Sequence, residues 1–219
     1  MAKHFLRELE KIKKMILSLS ALVESRVYMA VKAIDTTDVR LAEKIIQTDP
    51  EIDEMEIEVE EECLKALALH QPVAVDLRFL VAVIKINNDL ERIGDQAVNI
   101  AQRVVTIAKQ SHYHLVFDYS TMATNVQTML KQSLDSLVNM NLDLAMTVLH
   151  LDDEVDDLKE RAYDQIKAAM ADHPDQLGYL INLLLISRHL ERMADHATNI
   201  AEEVIYMIEG EIVRHGGRG

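Results

Sequence analysis

The sequence predicts an all-α protein: two tandem antiparallel three-helix bundles, six long helices related by a pseudo-two-fold axis. Three observations carry that expectation. Only six Gly and three Pro punctuate 219 residues, too few for the tight turns of a many-stranded protein. Apolar residues recur at threes and fours over long stretches, which is the helical period. Residues 90–101 read LERIGDQAVNIA and residues 190–201, displaced by 100 positions, read LERMADHATNIA, the mark of an internal duplication.

In the first half, Leu9, Ile12, Ile16, Leu19, Val23, Val27, Ala30 and Ile34 set a helix over residues 4–34. Thr36, Thr37 and Asp38 offer N-cap side chains for a second helix, whose apolar positions Leu41, Ile45, Ile52, Met55, Val59, Leu64 and Leu67 run to about Leu69. Pro50 interrupts it: either Asp49 caps a fresh start with Pro50 in the first turn, or the helix continues through a kink. The His70-Gln71-Pro72 break precedes a third helix, from Asp76 to about Lys109, which contains the first copy of the motif.

Residues 110–117 have no clear period and read as a linker. The second half then repeats the programme, with helices over about 119–138, 141–170 and 176–209, the middle one ended by Asp172-His173-Pro174. Setting Glu51-Ile52-Asp53 against Glu154-Val155-Asp156 gives a displacement of 103 positions, so the second half is three residues shorter before its motif. The shortening falls at the Pro-containing breaks, where a loop tolerates it. The expected organisation is a first bundle over 1–110, a second over 119–210 and a flexible Gly-rich tail over 211–219.

With 49% hydrophobic residues the chain can bury a real core. Its net charge of −14 repels a phosphate backbone and an anionic bilayer surface, which argues against nucleic acid and lipid headgroups and suits cations or basic partners. Cys63 is the only cysteine and the first ten residues alternate charged and apolar positions without an apolar block. Both features point to a reducing, cytoplasmic setting. No uncharged run approaches the ~20 residues of a membrane span, so direct membrane insertion is not expected.

Within the doubled motif Glu91, Asp95 and Asn99, and likewise Glu191, Asp195 and Asn199, fall four residues apart and stack along one side of a helix. Carboxylates on adjacent turns repel by about 0.2–0.5 kcal/mol when exposed, a cost that a bound cation or a nearby Arg removes. A second pair with the same spacing stands in each half, at Asp49 and Asp53 and at Asp152 and Asp156. If the second and third helices of a bundle are neighbours, each bundle gathers four carboxylates, with Asn99 or Asn199 as further oxygen donors. Mg²⁺, Mn²⁺, Fe and Zn²⁺ accept such oxygen-rich sites, and bridging carboxylates could hold more than one ion. At 100° per residue Leu77, Leu80, Ile84 and Val98 lie within about 40° of Glu91, which puts the acids at the edge of the apolar stripe. Partial burial there raises the cost of leaving them unpaired.

The plainer readings stand beside this one. An isolated acidic pair reads as solvated surface, and so do Glu51, Glu56, Glu58, Glu60, Glu61 and Glu62. Asp49 has a rival role as a helix cap. Four pairs at corresponding points of two repeats favour a shared purpose. Arg92 and Arg192 read as partners of neighbouring acids. His189 and His196 lie near the second motif, but their counterparts Asp89 and Gln96 show that imidazole is not required there. Cys63 and the eleven Met read as packing.

The doubled LERIGD/LERMAD motif, the Asp-x-x-Ile/Val-Asp pattern ahead of it in each half, and the six-helix order resemble the PhoU family over nearly the whole chain. Met193-Ala194 replaces the family's usual Ile-Gly in the second copy, and Pro50 is unusual between Asp49 and Asp53. The resemblance implies a bacterial cytoplasmic accessory protein of the phosphate-specific ABC transporter. Such a protein restrains phosphate uptake and damps the two-component starvation response, with the transporter ATPase and a membrane sensor histidine kinase as partners. It further implies a homodimer, metal clusters and no catalysis. Carried over by position, the ligands are Asp49, Asp53, Glu91 and Asp95 in one bundle and Asp152, Asp156, Glu191 and Asp195 in the other. The rival class is a carboxylate-bridged multinuclear metal enzyme. Its oxidase form pairs Glu with Glu-x-x-His, and no Glu-x-x-His or His-Glu-x-x-His occurs here. A carboxylate-only hydrolase and a metal-free scaffold are the remaining alternatives.

Overall fold

The apolar stripe of the first helix goes where its period sends it: Ile12, Ile16, Leu19, Val23, Val27, Ala30 and Ile34 are all buried. The computed structural model describes residues 2–110 and 117–210, and among them there are seven α-helices, one 3-10 turn and no strand. The helices are α1 (Ala2–Thr36), α2 (Val39–Gln47), α3 (Pro50–His70), α4 (Ala74–Ile107), α5 (Ser120–Asn139), α6 (Leu142–Asp172) and α7 (Leu177–Glu209). The 3-10 turn, Pro174–Gln176, leads into α7. The interior of the expected linker and the expected tail over 211–219 lie outside the described residues.

The expected second helix is therefore two helices, separated at Thr48 and Asp49. Pro50 has no N–H to continue the ladder, and α3 restarts with it in its first turn. Arg26, a buried side chain of α1, donates to the Thr48 carbonyl at 3.1 Å and to Glu51 at 3.2 Å, and so supports the junction from the neighbouring rod. In the second half α6 runs unbroken through the corresponding stretch. That difference is the main departure from exact repetition.

Asp38 caps α2 by accepting from the Leu41 N–H at 3.1 Å, and Asn141 caps α6 by accepting from the Leu144 N–H at 3.2 Å. With glycine scarce, Gln71 and Met140 adopt the left-handed conformation that ends α3 and α5, and only α7 ends on a glycine, Gly210. A left-handed non-glycine residue costs roughly 1–2 kcal/mol, which the buried faces of the helices must offset.

α1, α2, α3 and α4 pack together, and α5, α6 and α7 do the same, with α4 and α7 back to back between the two groups. The polar contacts across α4 and α7 show the pseudo-two-fold residue by residue. The Nδ1–H of His189 donates to the Gln96 amide oxygen at 2.8 Å, and Nδ1 of His196 lies 2.8 Å from Asp89. Gln96 is the counterpart of His196, and Asp89 that of His189, so each motif histidine meets the residue that replaces the other. Farther along, Lys85 donates to both Glu203 oxygens at 2.9 and 3.0 Å, and Arg103 donates to Asn182 at 3.3 Å. Burial, followed by the fields of Arg103, Arg192 and Arg188, pushes His189 down to about 4, so its ring bonds as neutral imidazole.

Candidate metal centres

In the first bundle Asp49 lies in the α2–α3 break and Asp53 in the first turn of α3, and Glu91 and Asp95 project from the middle of α4. Asp49 is not the helix cap that was the rival reading. Its backbone is already helical and its side chain makes no cap hydrogen bond, which leaves the carboxyl for the cluster. Its pKa is raised by burial first and then by Asp53 and Asp95, with Arg26 opposing. Glu91 is likewise raised, by burial and then Asp95, with Arg92 opposing and Asp53 and Glu56 adding. The four expected acids thus share one electrostatic field.

Glu56 belongs to the same group, a correction to its reading as solvated surface. It is partly buried, and Asn87 donates to its carbonyl at 2.8 Å and to its carboxylate at 3.0 Å. Two other members of that acidic run make inter-helix pairs, Glu51 with Arg26 and Glu62 with Lys11 at 2.8 Å. Arg92 behaves as expected: its Nε lies 3.3 Å from Glu91 and a terminal nitrogen 3.3 Å from Asp95. That approach does not satisfy Glu91, whose buried Oε2 accepts no hydrogen bond. That oxygen is the one Arg92 Nε approaches, so it has an ion-pair neighbour but no hydrogen bond; a buried carboxylate oxygen left so is costly, and a cation is the kind of partner that suits it.

Gly94 explains how α3 and α4 come close enough for these acids to meet. A Cβ there would lie 2.9 Å from Ile52 Cδ1 and 3.3 Å from Ile52 Cγ2. The corresponding residues of the second half are Val155 and Ala194, both buried. A methyl group lost on one helix is matched by one gained on the other. The Ala194 departure from the usual motif is therefore a packing exchange and leaves the flanking acids in place.

In the second bundle α6 presents Asp152 and Asp156 on successive turns, and α7 presents Glu191 and Asp195. Asp152 is raised chiefly by burial, opposed by a hydrogen bond from Thr198 at 3.2 Å, with Asp156, Asp153 and Glu191 adding to the rise. Asp195 is pushed up to about 6 by burial, then by Glu191, Asp152 and Asp156, with His196 opposing. The residue is nonetheless exposed, so solvent screens much of that repulsion. It stands in a cleft of about 650 Å³ lined by Arg92 and Gln96 of α4, Asp152 of α6 and Arg192, Asp195 and His196 of α7, among others. The cleft walls strip much of its hydration without covering it.

The two centres are balanced differently. Lys159 donates to Glu191 at 2.6 Å and to Asp156 at 3.2 Å, and its counterpart in the first half is Glu56. One pocket has a built-in ammonium where the other has a fifth acid. Lys159, Arg26 and Thr198 are site residues that the acidic spacing alone does not reveal. Asn199, expected as an oxygen donor, turns its amide nitrogen to Asp89 at 3.1 Å and also lines the cleft.

The expected ligands are neighbours, but their oxygens do not converge. Among the described residues no three of these carboxylates bring ligand atoms within 4.8 Å of one another. Closing either set on an ion takes rotation of side chains such as Asp156, which is 57% exposed. Fold and site together define a class: a duplicated all-α bundle protein carrying a pseudo-symmetric pair of acidic clusters at the α3/α4 and α6/α7 contacts.

The PhoU domain matches this chain twice, over residues 16–104 and 119–204, and the chain belongs to the PhoU family. A phosphate-specific transport system accessory protein PhoU homolog of Clostridium acetobutylicum is 35% identical, over 96% of this chain and 97% of that protein. The crystal structure of PhoU from Pseudomonas aeruginosa superposes with a TM-score of 0.91 at 35% identity, covering 94% of this chain and all of that one. The phosphate transport system regulatory protein PhoU from Streptococcus pneumoniae gives 0.84 at 29% identity, over 96% of this chain. These relatives are named as accessory and regulatory proteins of phosphate transport, not as enzymes. No described helix is long and apolar enough to cross a membrane.

Proposed function

We propose that this chain is a metal-binding regulatory adaptor of phosphate homeostasis. It restrains a phosphate-specific ABC transporter and damps the two-component phosphate-starvation response, acting in the cytoplasm as a homodimer that meets the transporter ATPase and the membrane sensor histidine kinase. The transport role is supported by full-length likeness to accessory proteins of that system. The observation that carries the metal reading is the cluster of raised-pKa carboxylates, within which the buried Oε2 of Glu91 makes no hydrogen bond and has only the Arg92 guanidinium near it, at 3.3 Å. Asp49, Asp53, Glu91 and Asp95 hold one ion or more, and Asp152, Asp156, Glu191 and Asp195 the other set, as Mg²⁺, Mn²⁺, Fe or Zn²⁺. A bound cation neutralises the acids and tightens α3 on α4 and α6 on α7, which gives the adaptor a firm surface for its partners.

The regulatory part is tested by deleting the gene in its host and measuring starvation-gene expression in phosphate-rich medium. Expression rises if the reading is right, and unchanged expression refutes it. Pull-down of the ATPase and the kinase with the purified chain tests the partners, and failure to retain either removes that partner.

A further inference from the structure

Outside the acidic clusters one group of side chains has metal-ligand chemistry of a different kind. His4 and Glu8 lie one turn apart near the start of α1, and His70 is the last residue of α3. Glu8 divides its two oxygens between the rings: Oε1 is 3.1 Å from His4 Nδ1 and Oε2 is 2.6 Å from His70 Nε2. All three donors lie within 4.8 Å of one another, and among the described residues this is the only trio of His, Cys, Asp or Glu so placed. We propose that His4, Glu8 and His70 bind a borderline divalent cation of the zinc type, which clamps the first turns of α1 to the C-terminal end of α3.

The geometry favours that class of ion. A tetrahedral ion with bonds of about 2.0–2.1 Å holds neighbouring ligand atoms roughly 3.3 Å apart, so the donors need only small side-chain shifts to close on it. Two imidazoles and one carboxylate form a familiar zinc donor set that leaves the fourth position to water. Imidazole selects Zn²⁺, Co²⁺ or Ni²⁺ over Mg²⁺, whereas the oxygen-only clusters do not. Glu8 and His70 are only 15% and 17% exposed, so two of the three ligands are already held in place. Phe5 lays its ring 4.8 Å from that of His70 and shields it from water on one side. His4 is 73% exposed and free to close the site. The alternative occupant is a proton, with Glu8 serving only as an ion-pair partner of the two rings.

The test uses the full-length chain in excess Mg²⁺, which occupies the oxygen-only clusters, with Zn²⁺ added against a chromophoric chelator. Wild type should take up one more equivalent of Zn²⁺ than His70→Gln or His4→Gln, each of which lacks one of the three protein ligands a zinc site of this kind needs. Asp95→Asn with Asp195→Asn should retain the equivalent, which separates this site from the proposed clusters. Equal Zn²⁺ uptake by wild type and both histidine variants would overturn the proposal. A second readout needs no variant: in wild-type protein, Co²⁺ should shift the ring signals of His4 and His70 first, and shifts confined to other histidines would also overturn it.

Discussion

Replacing Asp195 with Asn in metal-free protein is expected to stabilise the fold near neutral pH. The group is pushed from 3.8 up to about 6, so the folded state binds its proton more tightly than the unfolded chain does. The stabilising contribution of that proton is complete below 3.8 and is lost as pH rises through about 6. At pH 7.5 the carboxylate is charged and the fold bears its repulsion. About two pH units correspond to roughly 3 kcal/mol at face value, and because the side chain touches solvent, screening reduces the expected gain to about 1 kcal/mol. Asn has the shape of the protonated acid and should recover that amount, about 2–4 °C in Tm for a chain of this size. The gain should fade as pH falls through 6 and vanish below 3.8. A saturating divalent cation should reverse the order: wild type gains about 2–4 kcal/mol through mass action and the variant gains less. Thermal unfolding with chelator and then with cation, at pH 7.5 and at low pH, reads all of this. A metal-free variant less stable than wild type at pH 7.5, or one that gains as much from the cation, would refute the reasoning.

Three further outcomes follow from the packing around the clusters. In a double-mutant cycle, Gly94→Ala should stabilise by about 1 kcal/mol in an Ile52→Val background and be neutral or destabilising with Ile52 present; a coupling near zero in urea unfolding would contradict the methyl-exchange account. Arg26→Met removes a buried guanidinium from the Thr48 carbonyl and Glu51 and should cost roughly 2–4 kcal/mol, so a urea midpoint like that of wild type would count against its support of the α2–α3 junction. Lys159→Met removes the ammonium between Glu191 and Asp156 and should raise cation affinity in the second pocket by about tenfold; titration calorimetry showing unchanged or weaker binding would refute its role as an internal counter-ion.

Much of the fold was legible because its signals are periodic. The buried face of α1 is the set of residues its threes-and-fours spacing selects, whereas the contacts of His189 with Gln96 and of His196 with Asp89 across α4 and α7 have no trace in the motif itself. Pro50 announced a break but not its form, because the outcome depends on Arg26, which is 22 positions from Thr48 in sequence. The acidic pairs were legible from four-residue spacing. Their counter-charges were not: Lys159 reaches Glu191 across 32 positions, and one-dimensional spacing on a single helix holds no trace of a partner on another. The sharing of Glu56 with the first cluster was missed for the same reason, since it sits in a run of acids whose other members, such as Glu58 and Glu60, are exposed. His4, Glu8 and His70 form no pattern in the sequence, because 62 positions separate Glu8 from His70 and the fold alone joins them.

The most direct measurement is the content of Mg, Mn, Fe and Zn in protein purified without chelator, with Asp95→Asn and Asp195→Asn compared with their parent in a His70→Gln background. If the acidic clusters are cation sites, the parent retains stoichiometric metal and the paired substitutions remove most of it while the helical circular dichroism is unchanged. Equal metal in the two proteins, or none in either after addition of these cations and gel filtration, would contradict the account.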